Sequence, residues 1–281
     1  MTKLMALVLV VLMLCNLAMP TKNGEKTDVL AESSETTDVE EKVIGLKVMT
    51  FNVQHFLDYN NKIIDTELFA KVIKENKVDF CGLNEVRGEG TYEDYTDQTN
   101  ALGDSLGFNR YFGEAIKVDG ENPYGNAFVT KYPVISSETF GIPDPEKPKD
   151  GERYETRCVI KTVVDVDGEK LCFLVCHMGL NKDEQKNAVN TLCGIIDEIN
   201  MPLILMGDFN TTPDSKVLEP IRERLKDVDC MAGNPAMATY PSYAPEIKID
   251  YIFYKGLECI DSKTVCNVYS DHYPIIADFE L

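Results

Sequence analysis

From residue 43 onward, short apolar runs alternate with longer amphipathic stretches. Val43 to Asn52 alternates apolar and polar positions from Leu46, the period-two pattern of a strand. Asp65-Thr66 then precede Leu68, Phe69, Val72 and Ile73, a helical stripe that ends near Asn76. Val78 to Leu83 is a second apolar run, followed by Asn84-Glu85. A second helix is predicted over Thr96 to Leu106, stopped at Gly107. Asn126 to Thr130 and Val134 to Phe140 read as strands around a Lys-Tyr-Pro turn, before a Pro-rich loop over Gly141 to Gly151. Thr156 to Val166 and Glu169 to Cys176 are strand-like runs joined by Asp167-Gly168, a strong hairpin signal. Asn181 with Glu184 forms a capping box ahead of the stripe Ala188, Val189, Leu192, Ile195, Ile196 and Ile199.

Pro202-Leu-Ile-Leu-Met-Gly-Asp-Phe-Asn210 follows, and the chain is organised around it. Its apolar run has the length of a buried strand, which Gly207 ends with a sharp turn. Residues two apart in extended chain share a side, so Asp208 and Asn210 face one spot and Phe209 returns to the core. A carboxylate and a carboxamide aimed at one point suit a hard cation, an attacking water, or both. A strand closed by an Asx-turn gives the same pattern without chemistry. Thr212-Pro213 opens a short helical stretch, Ile249 to Tyr254 is a strand with Asp250 near its start, and Asp271-His272 precede a last alternating strand.

The polar residues share a placement. Asn52, Glu85, His177, Asp208 and Asn210 fall just past the C-terminal end of a predicted strand. Arg157, Asp250 and Asp271-His272 fall near the start of one. Antiparallel neighbours bring starts and ends to one rim, so all of them can meet at one edge of a sheet pair.

The N-terminus changes the domain picture. Lys3 precedes an apolar run from Leu4 to Leu14 and a polar break, which reads as a signal peptide or N-terminal anchor over residues 1–20. The run is short beside the roughly 20 residues of a membrane-spanning helix. Residues 21–42 hold three Lys against seven Asp or Glu with no apolar periodicity, the composition of a disordered acidic linker. One domain then occupies residues 43–281, and the chain is expected to be secreted or attached to the cell envelope.

Net charge is −19. Such a balance argues against broad capture of a nucleic-acid backbone, which needs Lys and Arg to displace counterions. It leaves room for an enzyme that holds phosphate through a metal. No basic stripe interleaved with aromatics and no amphipathic membrane-docking helix is present. Of the nine Cys, Cys81, Cys158, Cys172 and Cys176 lie inside apolar runs, where buried free thiols are expected. No Cys-x-x-Cys occurs, which speaks against a zinc-cysteine site.

Phosphoester hydrolysis needs this inventory. A divalent metal held by carboxylates neutralises phosphoryl charge, a base such as Asp208 orients or deprotonates water, and a His or Arg donates to a non-bridging oxygen. Asp250 can fix the tautomer of His272. Asp250 interrupts an apolar strand, where an unpaired carboxylate is costly.

Val48-Met-Thr-Phe-Asn52, Asp79-Phe-Cys-Gly-Leu-Asn-Glu-Val86, Tyr124-Gly-Asn-Ala127, Glu155-Thr-Arg157, Cys176-His177, Gly207-Asp-Phe-Asn210, Ile249-Asp-Tyr-Ile252 and Ser270-Asp-His-Tyr-Pro274 together resemble the endonuclease/exonuclease/phosphatase superfamily. The resemblance spans nearly all of residues 46 to 281. It implies an α/β fold, a four-layer sandwich of two packed mixed β-sheets flanked by helices. It implies that Asn52, Glu85 and Asp271 hold Mg²⁺, with Mn²⁺ as an alternative. By the same resemblance Asp208 and Asn210 handle the water, His177 and His272 contact the scissile phosphate, Asp250 orients His272, and Arg157 binds phosphate. The family's usual Gln before the metal-binding Glu is Asn84 here. The expected activity is an exported, Mg²⁺-dependent phosphoesterase acting on a nucleic acid, phospholipid headgroup or inositol phosphate, as a monomer without an obligate protein partner. Loops 87–96 and 141–155 are expected to carry substrate choice. The competing expectation is a non-catalytic, surface-tethered binding protein on the same scaffold.

Overall fold

Each apolar alternation becomes a strand whose two faces pack against different neighbours. A computed structural model describes residues 43–146, 153–231 and 238–281. The leader and linker expected over residues 1–42 lie outside the described residues, as do part of the 141–155 loop and the side chain of Cys230.

In chain order the strands are β1 (Gly45–Asn52), β2 (Leu57–Asp58), β3 (Ile63–Ile64), β4 (Phe80–Arg87), β5 (Asn109–Val118), β6 (Asn122–Thr130) and β7 (Val134–Ile142). They continue as β8 (Arg157–Val166), β9 (Glu169–His177), β10 (Leu203–Asp208), β11 (Lys226–Asp227), β12 (Asp250–Lys255), β13 (Glu258–Thr264) and β14 (Ile275–Glu280). The helices are α1 (Thr66–Glu75), α2 (Gln98–Leu106), α3 (Lys182–Asp197), α4 (Glu219–Arg222) and α5 (Val228–Met231). Two six-stranded sheets form, ordered β13-β14-β1-β4-β6-β5 and β11-β12-β10-β9-β8-β7. Each is mixed, with one parallel pair, β1 with β4 and β9 with β10.

The period of two sorts the core. Val48, Phe80, Phe173, Val175, Ile204 and Met206 fill the space between the sheets. Their chain neighbours Met49 and Cys81 face α1 and α2, and Cys172, Leu174, Leu203 and Leu205 face α3. Helix, sheet, sheet and helix therefore form four layers, as the resemblance implies. Phe80 and Phe173 stack across the inter-sheet core with centroids 3.7 Å apart. At Gly82 the sheets come so close that a Cβ would lie 2.6 Å from Met206 Sδ.

Local signals act where the sequence places them. Asp65 caps α1 by accepting from the Leu68 N–H, and Asn181 with Glu184 forms the capping box of α3. Asp167 and Gly168 both take positive φ in the β8–β9 hairpin. Cys81, Cys158, Cys172 and Cys176 are buried free thiols.

Several expectations need correction. β5 and β13, the two edges of the first sheet, were not predicted. The strand expected to stop at Leu83 runs to Arg87, so Glu85 lies inside β4 rather than past its end. Gly207 does not end its strand either, since β10 continues to Asp208. Gly207 adopts φ 146°, and a Cβ there would meet Cys176 O at 1.8 Å, so the β9–β10 approach depends on this glycine.

Candidate active site

Strand registers assemble the site. Asp208 ends β10; its partner across β9 is His177 and its partner across β12 is Asp250. Three predicted side chains thus stand in one row at the rim of one sheet. In the other sheet, Asn52 ends β1 beside Asn84 of β4.

A β-bulge re-aims Glu85. The β4–β6 register pairs Leu83 with Ala127 and Val86 with Gly125, leaving Asn84 and Glu85 opposite a single residue. Without the extra residue Glu85 would share the helix-facing side of Leu83. The bulge gives that side to Val86, and Glu85, at φ 61°, turns to the rim.

Asn84 ties the two sheets together. Its Nδ2 donates to Asn126 Oδ1 and to Cys176 O, both at 2.8 Å, and its Oδ1 accepts the Asp208 N–H at 2.9 Å. The shorter residue in place of the family's Gln is therefore fully engaged, and it fixes the backbone of the central acid. Asn126 in turn donates to Cys158 O at 2.9 Å.

Around Asp208 the predicted residues converge. Asn52 Nδ2 donates to Asp208 Oδ2 at 3.1 Å and to Glu85 Oε1 at 3.0 Å. His177 Nε2 lies 3.5 Å and His272 Nε2 3.7 Å from the same Asp208 Oδ2. Asp208 Oδ1 accepts the Asn210 N–H at 2.8 Å, and the Asn210 amide lies 3.1 Å from His177 Nε2. Phe209, between the two polar residues, is buried in the core as the alternation requires. His272 Nδ1 is 2.9 Å from Asp250 Oδ2. Arg157 Nη1 is 2.9 Å from His177 Nδ1 and 2.7 Å from Glu155 Oε1.

Asp271 joins through Gln54, whose Nε2 donates to Asp271 Oδ2 at 3.0 Å. Gln54, His55 and Phe56 all take positive φ, a left-handed turn that non-glycine residues rarely adopt. That strain begins after Val53, which follows Asn52, where the chain is bent to deliver Gln54.

The two imidazoles differ in charge. The guanidinium of Arg157 can only donate, so His177 Nδ1 accepts from it, while Asn210 Nδ2, which donates to Met178 O at 2.9 Å, faces His177 Nε2. Burial, then Arg157 and His272, hold His177 well below the usual histidine range, and it is neutral at pH 7. Burial also acts to lower His272, but the Asp250 and Asp208 carboxylates outweigh it and raise the group to about 10. Burial and Asp250 push Asp208 up to about 7. Burial raises Glu85 as well; Asn52 offsets part of this, and Asp271 adds to it.

One cluster of ligand-type atoms and one further pair of acids bear on metal binding. One ligand atom each from Asp208, Asp250 and His272 lies within 4.8 Å of the others. There His272, protonated between two acids, already balances the charge and offers no free lone pair. Glu85 and Asp271 differ: they repel one another, among the described residues no cationic side chain is bonded to either carboxylate, and their donors are hard oxygens. That donor set fits Mg²⁺ or Mn²⁺. In the present conformation the Asn52 amide donates to acids, and its Oδ1 accepts from the Gln54 N–H at 3.1 Å.

Some contributors were not assigned roles from sequence. Tyr124 hydrogen-bonds Glu85, and its hydroxyl is pushed up by burial and by that acid. Ser270 Oγ donates to Asn52 O at 2.7 Å and links the two segments that carry Asn52 and Asp271. Asn126, a carboxamide within an apolar run, was the one local signal of a buried polar partner.

The model of the Endonuclease/Exonuclease/phosphatase family matches residues 49–272. The chain belongs to this family. A UPF0294 protein of Vibrio vulnificus is 30% identical over 118 residues, covering 41% of this chain and 41% of that protein. Among solved structures, an endonuclease/exonuclease/phosphatase family protein from Leptotrichia buccalis superposes with TM-score 0.70 at 22% identity, covering 84% of this chain and 100% of the other. A mannosyl-6-phosphatase from Bacteroides thetaiotaomicron superposes with TM-score 0.62 at 16% identity, covering 83% and 99%. At these identities the structural likeness shows the shared fold.

Proposed function

We propose that the chain is a divalent-metal-dependent phosphoesterase. The observation that carries this reading is one carboxylate, Asp208, faced within 3.7 Å by a neutral and a protonated imidazole. A phosphoryl group seated there meets donors from Arg157 and His272 Nε2, with the neutral His177 imidazole beside them. These bonds strengthen as negative charge builds on its oxygens. Asp208, raised to about 7, takes a proton from water near neutral pH, and Asn210 beside it orients that water. Asp250 keeps His272 charged and aligned. Glu85, Asp271 and Asn52 would hold Mg²⁺, or Mn²⁺ in its place; when bound, the ion supplies further positive charge at the phosphoryl oxygens.

The substrate is read as a phosphodiester or phosphomonoester, and the signal peptide or anchor expected over residues 1–20 would put that action outside the cytoplasm. The test is hydrolysis of bis-p-nitrophenyl phosphate with Mg²⁺ and then with EDTA. Turnover that EDTA removes and His177→Ala abolishes is expected. Turnover absent with Mg²⁺ on this and on monoester substrates would instead favour a binding protein on the same scaffold.

A further inference from the structure

Three tyrosines lead outward from His272. Tyr240 packs on the imidazole with centroids 4.9 Å apart. Its hydroxyl is pushed up by burial and by Asp271, and Tyr243 and Tyr59 are among its electrostatic neighbours. Tyr59 and Tyr243 stack on each other, 5.8 Å between centroids and 11° from parallel. Lys62 Nζ lies 3.6 Å above the Tyr59 ring. Tyr59 is thus covered by both Lys62 and Tyr243. Tyr243 itself is 63% exposed. Among the described residues, Tyr59 is the only ring stacked on it.

Hydrogen bonds tie this platform to the segment beside the phosphate position. The Tyr59 N–H donates to Tyr269 O at 2.7 Å, and the Ser242 N–H donates to Asp271 O at 2.7 Å. Ser242 Oγ donates to Ser270 O at 2.6 Å, and Asn60 Nδ2 donates to Val268 O at 2.6 Å. Both halves of the platform are therefore anchored to the segment that carries Asp271 and His272.

The flanks decide what ring fits. Tyr243 sits in Pro241-Ser-Tyr-Ala-Pro245, and Ser242 has spent its hydroxyl on the backbone. That hydroxyl is not available to a polyol. A single flat face, rather than an aliphatic groove, does not suit an acyl chain. It suits a planar heterocycle bound through its π-face. With net charge −19 and no basic track, a long polyanion is disfavoured.

We propose that Tyr243, backed by Tyr59, is a stacking subsite for the nucleobase of a short nucleotide ester whose phosphate lies against His272. The proposal rests on the phosphoesterase reading and adds the substrate class. Face stacking tolerates different bases, so discrimination among them is expected to be weak.

The test is calorimetric titration of the full chain, in EDTA, by thymidine 5′-monophosphate and by 2-deoxyribose 5-phosphate, which carries a hydroxyl where the base would be. The base-bearing ligand is expected to bind about tenfold tighter. Tyr243→Ala should erase that advantage while leaving the affinity for deoxyribose phosphate unchanged, and Tyr243→Phe should keep it. Equal affinities in the parent protein, no binding of either ligand, or equal weakening of both in Tyr243→Ala would each overturn the subsite. Because EDTA removes the expected turnover, binding is read by itself and the outcome is separate from that of the hydrolysis assay.

Discussion

His272 Nδ1 lies 2.9 Å from Asp250 Oδ2, and this contact sets the charge at the centre of the site. Asp250 is buried, and its other oxygen has no hydrogen-bond partner among the described residues. The carboxylate is thus committed to the imidazole. Asp250→Asn keeps the size but removes the charge that holds the proton on His272. Turnover of bis-p-nitrophenyl phosphate is expected to fall by about 10²–10⁴-fold. A variant with near-parental kcat would show that His272 needs no acid behind it.

The same pair makes stability depend on pH. His272 sits at about 10 in the folded chain against 6.5 as a free group. A raised folded value means the native state binds the extra proton. The stabilisation is fully present below 6.5 and is lost as pH rises through about 10. In EDTA, the melting temperature should therefore fall between pH 7 and pH 9, and His272→Gln should flatten that fall. An equally steep fall in the variant would assign it to other groups.

Asn84 offers a prediction in which stability and activity move together. Asn84→Leu leaves the Asp208 N–H, Cys176 O and Asn126 without their shared partner. A loss of roughly 3 kcal/mol is expected from urea unfolding, given about 1–3 kcal/mol for each buried group left unsatisfied. Turnover should drop too, since the Asp208 backbone loses its tether. Unchanged stability would mean that the two sheets do not rely on this bridge.

Glu85→Gln tests the metal position. The variant should fold normally, because burial already penalises the charged carboxylate. Half-maximal activity should then need at least about tenfold more Mg²⁺ than in the parent, a loss of about 1.4 kcal/mol or more in ion binding. An unchanged Mg²⁺ requirement would move the ion elsewhere.

Gly207→Ala places a Cβ against the Cys176 carbonyl, at a φ that suits glycine. A cost of roughly 3 kcal/mol or more is expected, seen as lost soluble yield or a lowered melting temperature. A variant as stable as the parent would show that β9 and β10 can separate there without penalty.

Strands that are central and buried on both faces are the most legible in the sequence. β1, β9, β10 and β12 carry the rim residues, and their apolar runs are clear. The pattern fails at β5 and β13 for a physical reason. These are edge strands, and an edge carries polar and charged side chains that guard against further pairing. Segments such as Glu258-Cys-Ile-Asp-Ser-Lys-Thr264 therefore resemble loops. The Glu85 position was legible only as a neighbourhood, because a bulge is an offset between two strands and leaves no local mark. The bonds of Asn84 join residues 42, 92 and 124 positions away, which periodicity does not reveal. The loops expected to choose the substrate, 87–96 and 141–155, do not include the tyrosine platform at positions 59, 240 and 243.

Asn52 and Glu85 hang from one sheet, and His177, Asp208 and Asp250 from the other. The gap they span is set beneath them, where Phe80 lies flat on Phe173 and Gly82 admits Met206. Those apolar contacts act as a ruler for the chemistry. Thickening or thinning that layer by a methyl group would detune the rim from beneath while every reacting side chain stayed in place.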